Sequence, residues 1–72
     1  MPKLPVLSGQ EAIRILENLG FVQVRQRGSH VMLRRGSSGC VVPLHGELKR
    51  GTLMGIVRQA GVTTEEFWKA AR

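Results

Sequence analysis

The segment Val22-Gln23-Val24-Arg25-Gln26-Arg27-Gly28-Ser29-His30-Val31-Met32-Leu33-Arg34-Arg35 alternates apolar and polar side chains on both sides of one Gly-Ser pair. A period of two marks half-buried strands, and a two-residue link with glycine first has the composition of a hairpin turn. The expected hairpin buries Val22 and Val24 on one strand and Val31 and Leu33 on the other. So short a turn also sets the register: Arg27 opposite His30, Arg25 opposite Met32, Gln23 opposite Arg34. These six side chains then share the face away from the apolar side, where a histidine meets several arginines.

Downstream, Gly36-Ser37-Ser38-Gly39 is a second turn signal, and Cys40-Val41-Val42 reads as a short third strand ended by Pro43. A loop from Leu44 to Gly51 carries His45, Glu47, Lys49 and Arg50. Thr52 can then cap a helix whose Leu53, Ile56, Val57 and Ala60 recur at helical spacing, with Gly61 closing it. Thr63 and Glu66 form a capping box, and Val62 with Phe67 form a hydrophobic staple, so a short last helix runs to about Ala71.

Upstream, Ser8 and Glu11 make another capping box, and Ala12, Ile13, Leu16 and Leu19 fall on one stripe before Gly20. The order α-β-β-β-α with a short extra C-terminal helix is an α+β fold of the double-stranded-RNA-binding-domain type. Its three-stranded antiparallel sheet carries the helices on one face and leaves the other open. Residues 1–72 are read as one domain, because 72 residues hold one core.

Eleven Lys and Arg stand against five acidic residues, a formal charge of +6, and the isoelectric point is near 11.2. Such a surface favours a polyanion: nucleic acid first, an anionic membrane surface or acidic protein second. With three aromatic residues, Phe21, Phe67 and Trp68, base-stacking platforms are not expected. The single cysteine, Cys40, reads as a small buried hydrophobe, and no Cys/His grouping has zinc spacing, so no metal or cofactor is expected. Met1 to Leu7 lack the apolar length of a signal peptide and no run approaches a membrane span, which leaves the cytoplasm as the expected compartment.

The sequence holds no G-x-S-x-G elbow, no Walker loop, no dinucleotide fingerprint and no carboxylate pair placed to converge. His30 among cations remains. RNA carries its own nucleophile in the 2′-hydroxyl, so cleavage needs a base, an acid and positive charge for the crowded phosphate. Histidine, with an ordinary pKa of about 6.5, suits either proton role, and arginine suits the phosphate. On this reading His30 transfers a proton while Arg25, Arg27 and Arg34 hold the backbone, with Lys49 and Arg50 extending the track. The plain alternative stays open: a histidine beside a turn and arginines on a strand are ordinarily a solvated face.

Three stretches resemble the HicA (YcfA-like) toxins of toxin–antitoxin pairs: Ser8-Gly9-Gln10-Glu11-Ala12 with Leu19-Gly20-Phe21; Arg25-Gln26-Arg27-Gly28-Ser29-His30-Val31; and Val42-Pro43-Leu44-His45 with Glu47-Leu48-Lys49-Arg50-Gly51-Thr52-Leu53 and Gln59-Ala60-Gly61. Each is short, but their ordered set spans most of the chain. The resemblance implies metal-independent cleavage of messenger RNA, a catalytic histidine in the Gly28-Ser29-His30 motif, and neutralisation by a HicB-type antitoxin that covers it. A different class competes with it: a non-catalytic RNA-binding module that uses the same fold to grip phosphates by shape. A protein-interaction domain with an acidic partner is a third. The discriminator is His30, which binding should tolerate losing and cleavage should not.

Overall fold

The computed structural model describes residues 6–71. It runs α1 (Gly9–Asn18), β1 (Val22–Arg27), β2 (His30–Arg35), β3 (Ser38–Pro43), α2 (Arg50–Ala60) and α3 (Thr64–Lys69). The strands form one antiparallel sheet in the order β1-β2-β3, as the expected α+β architecture requires. Met1–Pro5, the greater part of the segment read above for a leader, and Arg72 lie outside the described residues. No helix among the described residues is long and apolar enough to cross a membrane.

Local chemistry sets the helix starts. The Ser8 hydroxyl accepts the Glu11 N–H while the Glu11 carboxylate accepts the Ser8 N–H, and Thr63 and Glu66 repeat the arrangement at α3. In each box the backbone N–H of the cap residue, and after it the hydroxyl, holds the glutamate carboxyl below its usual range. Both two-residue turns, Gly28-Ser29 and Gly36-Ser37, place glycine at positive φ, +56° and +61°, the backbone that a primed hairpin turn needs at its first position.

The core forms where one sheet face meets the helices. Val31 and Leu33 of β2 and Cys40 and Val42 of β3 pack with Ala12, Ile13, Ile15 and Leu16 of α1 and Leu53, Ile56, Val57 and Ala60 of α2. Phe21 and Phe67 are the two largest fully buried side chains in it. The α2 helix runs antiparallel to β3: Gln59 Oε1 accepts the Val41 N–H at 3.3 Å, and Gly61 lies beside Ser38. The first turn of α2 therefore sits at the Pro43 end of the sheet.

Four expectations need correction. Val22 and Val24 are not buried: they are 59% and 50% exposed, and all of β1 faces solvent. The cause is a bulge. Arg25 opposes Met32 but Gln23 opposes Leu33, so Val24 is an extra residue that reverses the parity before it. Val22 thus opposes Arg34, the place expected for Gln23, and Gln23 turns toward α1, where its amide donates to Glu17 Oε2 at 3.4 Å. Secondly, β3 begins at Ser38 rather than Cys40, because the turn takes two residues instead of four. Thirdly, α2 begins at Arg50 with Lys49 as its N-cap, without a side-chain cap bond, and Thr52 lies inside the first turn. Buried Leu48, whose N–H donates to Leu7 O at 2.7 Å, draws the chain inward and starts the helix early. Finally, α3 ends at Lys69 rather than near Ala71.

Arg35 has a structural task. Its Nη1 donates to Leu19 O at 2.9 Å, at the C-terminus of α1, and its guanidinium lies 4.9 Å from the Phe21 ring centroid. The last turn of α1 holds no cation of its own, so Arg35 supplies the charge that the helix dipole favours there. Arg35→Ala should lower stability by about 1 kcal/mol, the usual size of an exposed dipole contact with a cation–π contact. Urea unfolding would detect this as a lower midpoint at unchanged slope.

Candidate functional site

The hairpin register delivers the site. Arg27 and His30 are direct cross-strand partners next to the Gly28-Ser29 turn, and Arg25 and Met32 are the next pair on the same face. Directly opposed side chains on one face lie about 5 Å apart at Cβ, so Arg27 and His30 can address one ligand atom group together. All four are exposed, as is Arg34 two residues further along β2. The sequence therefore placed Arg25, Arg27, His30 and Arg34 on one surface correctly, although it misplaced Gln23 and Val22.

This open face is also more apolar than expected. Val22 and Val24, displaced by the bulge, join Met32, which is 40% exposed. A groove of ≈ 530 Å³ crosses the face between Val24, Arg25, Met32, Arg34 and Val41. A patch of aliphatic side chains rimmed by arginines combines anion attraction with a surface that water does not favour. The sequence had placed Met32 on this face, but nothing in it announced the two valines, since the bulge contains neither glycine nor proline.

Lys49 and Arg50 stand apart from this face. They begin α2, in the helix layer, at the same end of the sheet as His30. Both are exposed, and the first turn of α2 contains no acidic residue, so its free N–H groups and the two cations make that end electropositive. Gly28 and Ser29 form the turn that joins Arg27 to His30, and the Ser29 carbonyl accepts the Leu44 N–H. The backbone on both sides of His30 is thereby held.

Sequence reasoning left His45 in a loop without a catalytic role, yet the fold brings that loop to the His30 end. Pro43 is the direct partner of His30. His45 O accepts the Gly9 N–H at 2.9 Å, while its side chain is exposed. The approach of Gly9 to Pro43 and Leu44, which permits this bond, joins residues more than 30 positions apart and leaves no local trace in the sequence.

Cys40, by contrast, is withdrawn from chemistry. It is 4% exposed on the core side of β3, and burial pushes its thiol up to about 11. Since only the thiolate alkylates readily, the folded protein should resist iodoacetamide at neutral pH and label completely in denaturant. Mass spectrometry would read both, and fast native labelling would show that the β3 edge opens.

A family model described as "HicA toxin of bacterial toxin-antitoxin" matches residues 9–62 of the chain. The span includes α1, the whole sheet with its His30 face, and α2, and it ends before α3. A search of curated proteins found no match to the chain.

Proposed function

The chain belongs to the HicA toxin family of toxin–antitoxin systems, and from that premise we propose that it is a metal-independent endoribonuclease cutting messenger RNA with His30. The observation that carries the reading is the pairing of His30 with Arg27 on an open face that also presents Arg25 and Arg34. A phosphodiester drawn to these guanidiniums would lie against an imidazole, the side-chain type most often used as a general acid or base. Charge near the phosphorane-like transition state is where preorganised donors lower the barrier most.

The remaining proposed contacts extend this centre. Gly28 and Ser29 let the RNA backbone approach the turn closely, while Lys49 and Arg50 attract a flanking phosphate. Toxin family membership implies an antitoxin partner. We propose a HicB-type protein that packs over the open face in the cytoplasm, where Val22, Val24 and Met32 offer apolar contact inside a cationic rim. Covering that face would exclude RNA from His30.

The test is incubation of antitoxin-free protein with end-labelled messenger RNA in EDTA. Cleavage to fragments with 2′,3′-cyclic phosphate ends is the expected result. Intact RNA, bound with strong salt dependence, would overturn the nuclease and leave an RNA-binding module.

A further inference from the structure

The cleavage proposed above moves two protons, and His30 accounts for one of them. We propose that His45 supplies the other, acting as the general acid that protonates the departing 5′-oxygen; the assignment rests on the cleavage reading.

The chain contains two histidines, and the fold gathers both at one end of the sheet. His30 pairs with Pro43, the last ladder position of β3. The alignment continues past that pair, because the Leu44 N–H donates to Ser29 O at 2.6 Å, and so His45 comes level with the Gly28-Ser29 turn. Its backbone is pinned by the Gly9 N–H on its carbonyl. Close packing of Gly9 against Leu44 Cα, within 3.0 Å of where a Cβ would stand, holds the same loop. An exposed imidazole on an anchored backbone, at the same end of the sheet as a second imidazole, has the placement a two-proton reaction needs.

The charged groups around it favour this role. Arg27 and His30 reach this end from the hairpin, Lys49 and Arg50 from the start of α2, and Glu47 from the loop itself. Glu11 comes from the first turn of α1, but its carboxyl is engaged by the Ser8 N–H and held below its usual range, which makes it a poor proton donor. Among the residue types at this end only histidine titrates near neutrality.

The step balances without a co-reactant. His30 takes the 2′-hydroxyl proton, the 2′-oxygen forms its bond to phosphorus, and the bond from phosphorus to the 5′-oxygen breaks. That oxygen receives the proton of the His45 imidazolium. The products are a 2′,3′-cyclic phosphate and a 5′-hydroxyl, and exchange with water returns both histidines to their starting states.

A leaving group that needs no proton separates this role from a structural one. RNA and a uridine 3′-(4-nitrophenyl phosphate) ester would be compared with wild type, His45→Gln, His45→Ala and His30→Ala, each checked for an unchanged unfolding midpoint. The His45 variants should lose roughly 10²–10⁴-fold on RNA yet stay within about tenfold of wild type on the aryl ester. His30→Ala should lose on both. Wild-type RNA cleavage by His45→Gln, or equal losses on the two substrates, would overturn the assignment. A wild-type protein that cleaves neither substrate would remove the nuclease reading itself, and this assignment with it.

Discussion

Replacing His30 by alanine is expected to reduce messenger RNA cleavage by roughly 10²–10⁴-fold, the contribution of a positioned proton-transfer group, while the protein stays folded. The side chain is exposed and makes no hydrogen bond among the described residues, so its removal leaves the core as it was. The arginines also remain, and with them the attraction for RNA. Binding measured on an uncleavable 2′-deoxy strand should change far less than the rate of cutting. That split between affinity and turnover separates a catalytic histidine from a binding one. A His30→Ala protein that cuts at the wild-type rate would end the catalytic assignment, and with it the functional reading of the whole face.

The second large effect concerns Gly9, whose substitution by alanine should be damaging although helices generally prefer alanine. Gly9 opens α1 at ordinary negative φ, so backbone freedom is not the issue. Space is: a Cβ there would overlap the Pro43 carbonyl oxygen and press on Leu44 Cα. Both are backbone atoms and cannot rotate away. Overpacking of this kind costs about 1–3 kcal/mol and sometimes more, a large share of the few kcal/mol that hold so small a domain. Each kcal/mol should lower the melting temperature by about 4–8 °C. Gly55→Ala is the control, since nothing lies within 4 Å of its added carbon and it sits inside α2. That change should raise stability by up to about 1 kcal/mol. If the two variants melted alike, the close approach of α1 to the β3–α2 loop would be wrong. Gly9→Ala should also slow cleavage, because the loop it displaces carries His45.

The opposite signs expected at two helical glycines show where local reading ends. Composition and spacing determined the element order, because capping boxes, the two periodicities and the Gly-Ser turns are written within a few residues of where they act. They also placed Arg25, Arg27, His30 and Arg34 on one face. A two-residue turn fixes the pairs nearest to it, and Arg27 with His30 and Arg25 with Met32 lie on the turn side of the bulge.

Beyond Val24 the local rule failed. Whether a strand buries its valines depends on what covers it, and the helices lie over the β2–β3 side of the sheet. An edge strand without cover gains little from keeping its period, so the ladder could accept an extra residue there and turn Val22 outward. The start of α2 was likewise decided by burial of Leu48 rather than by the capping preference of Thr52.

Sequence by itself thus determined the element order, the cationic character and the histidine beside the turn. Tertiary structure alone decided the apolar patch on the open face, the task of Arg35 and the meeting of His45 with the His30 end. The physical reason is one of range. Hydrogen bonds and sterics between near neighbours act through a few covalent bonds, whereas contacts such as Gly9 with His45 exist only after the core has drawn distant segments together.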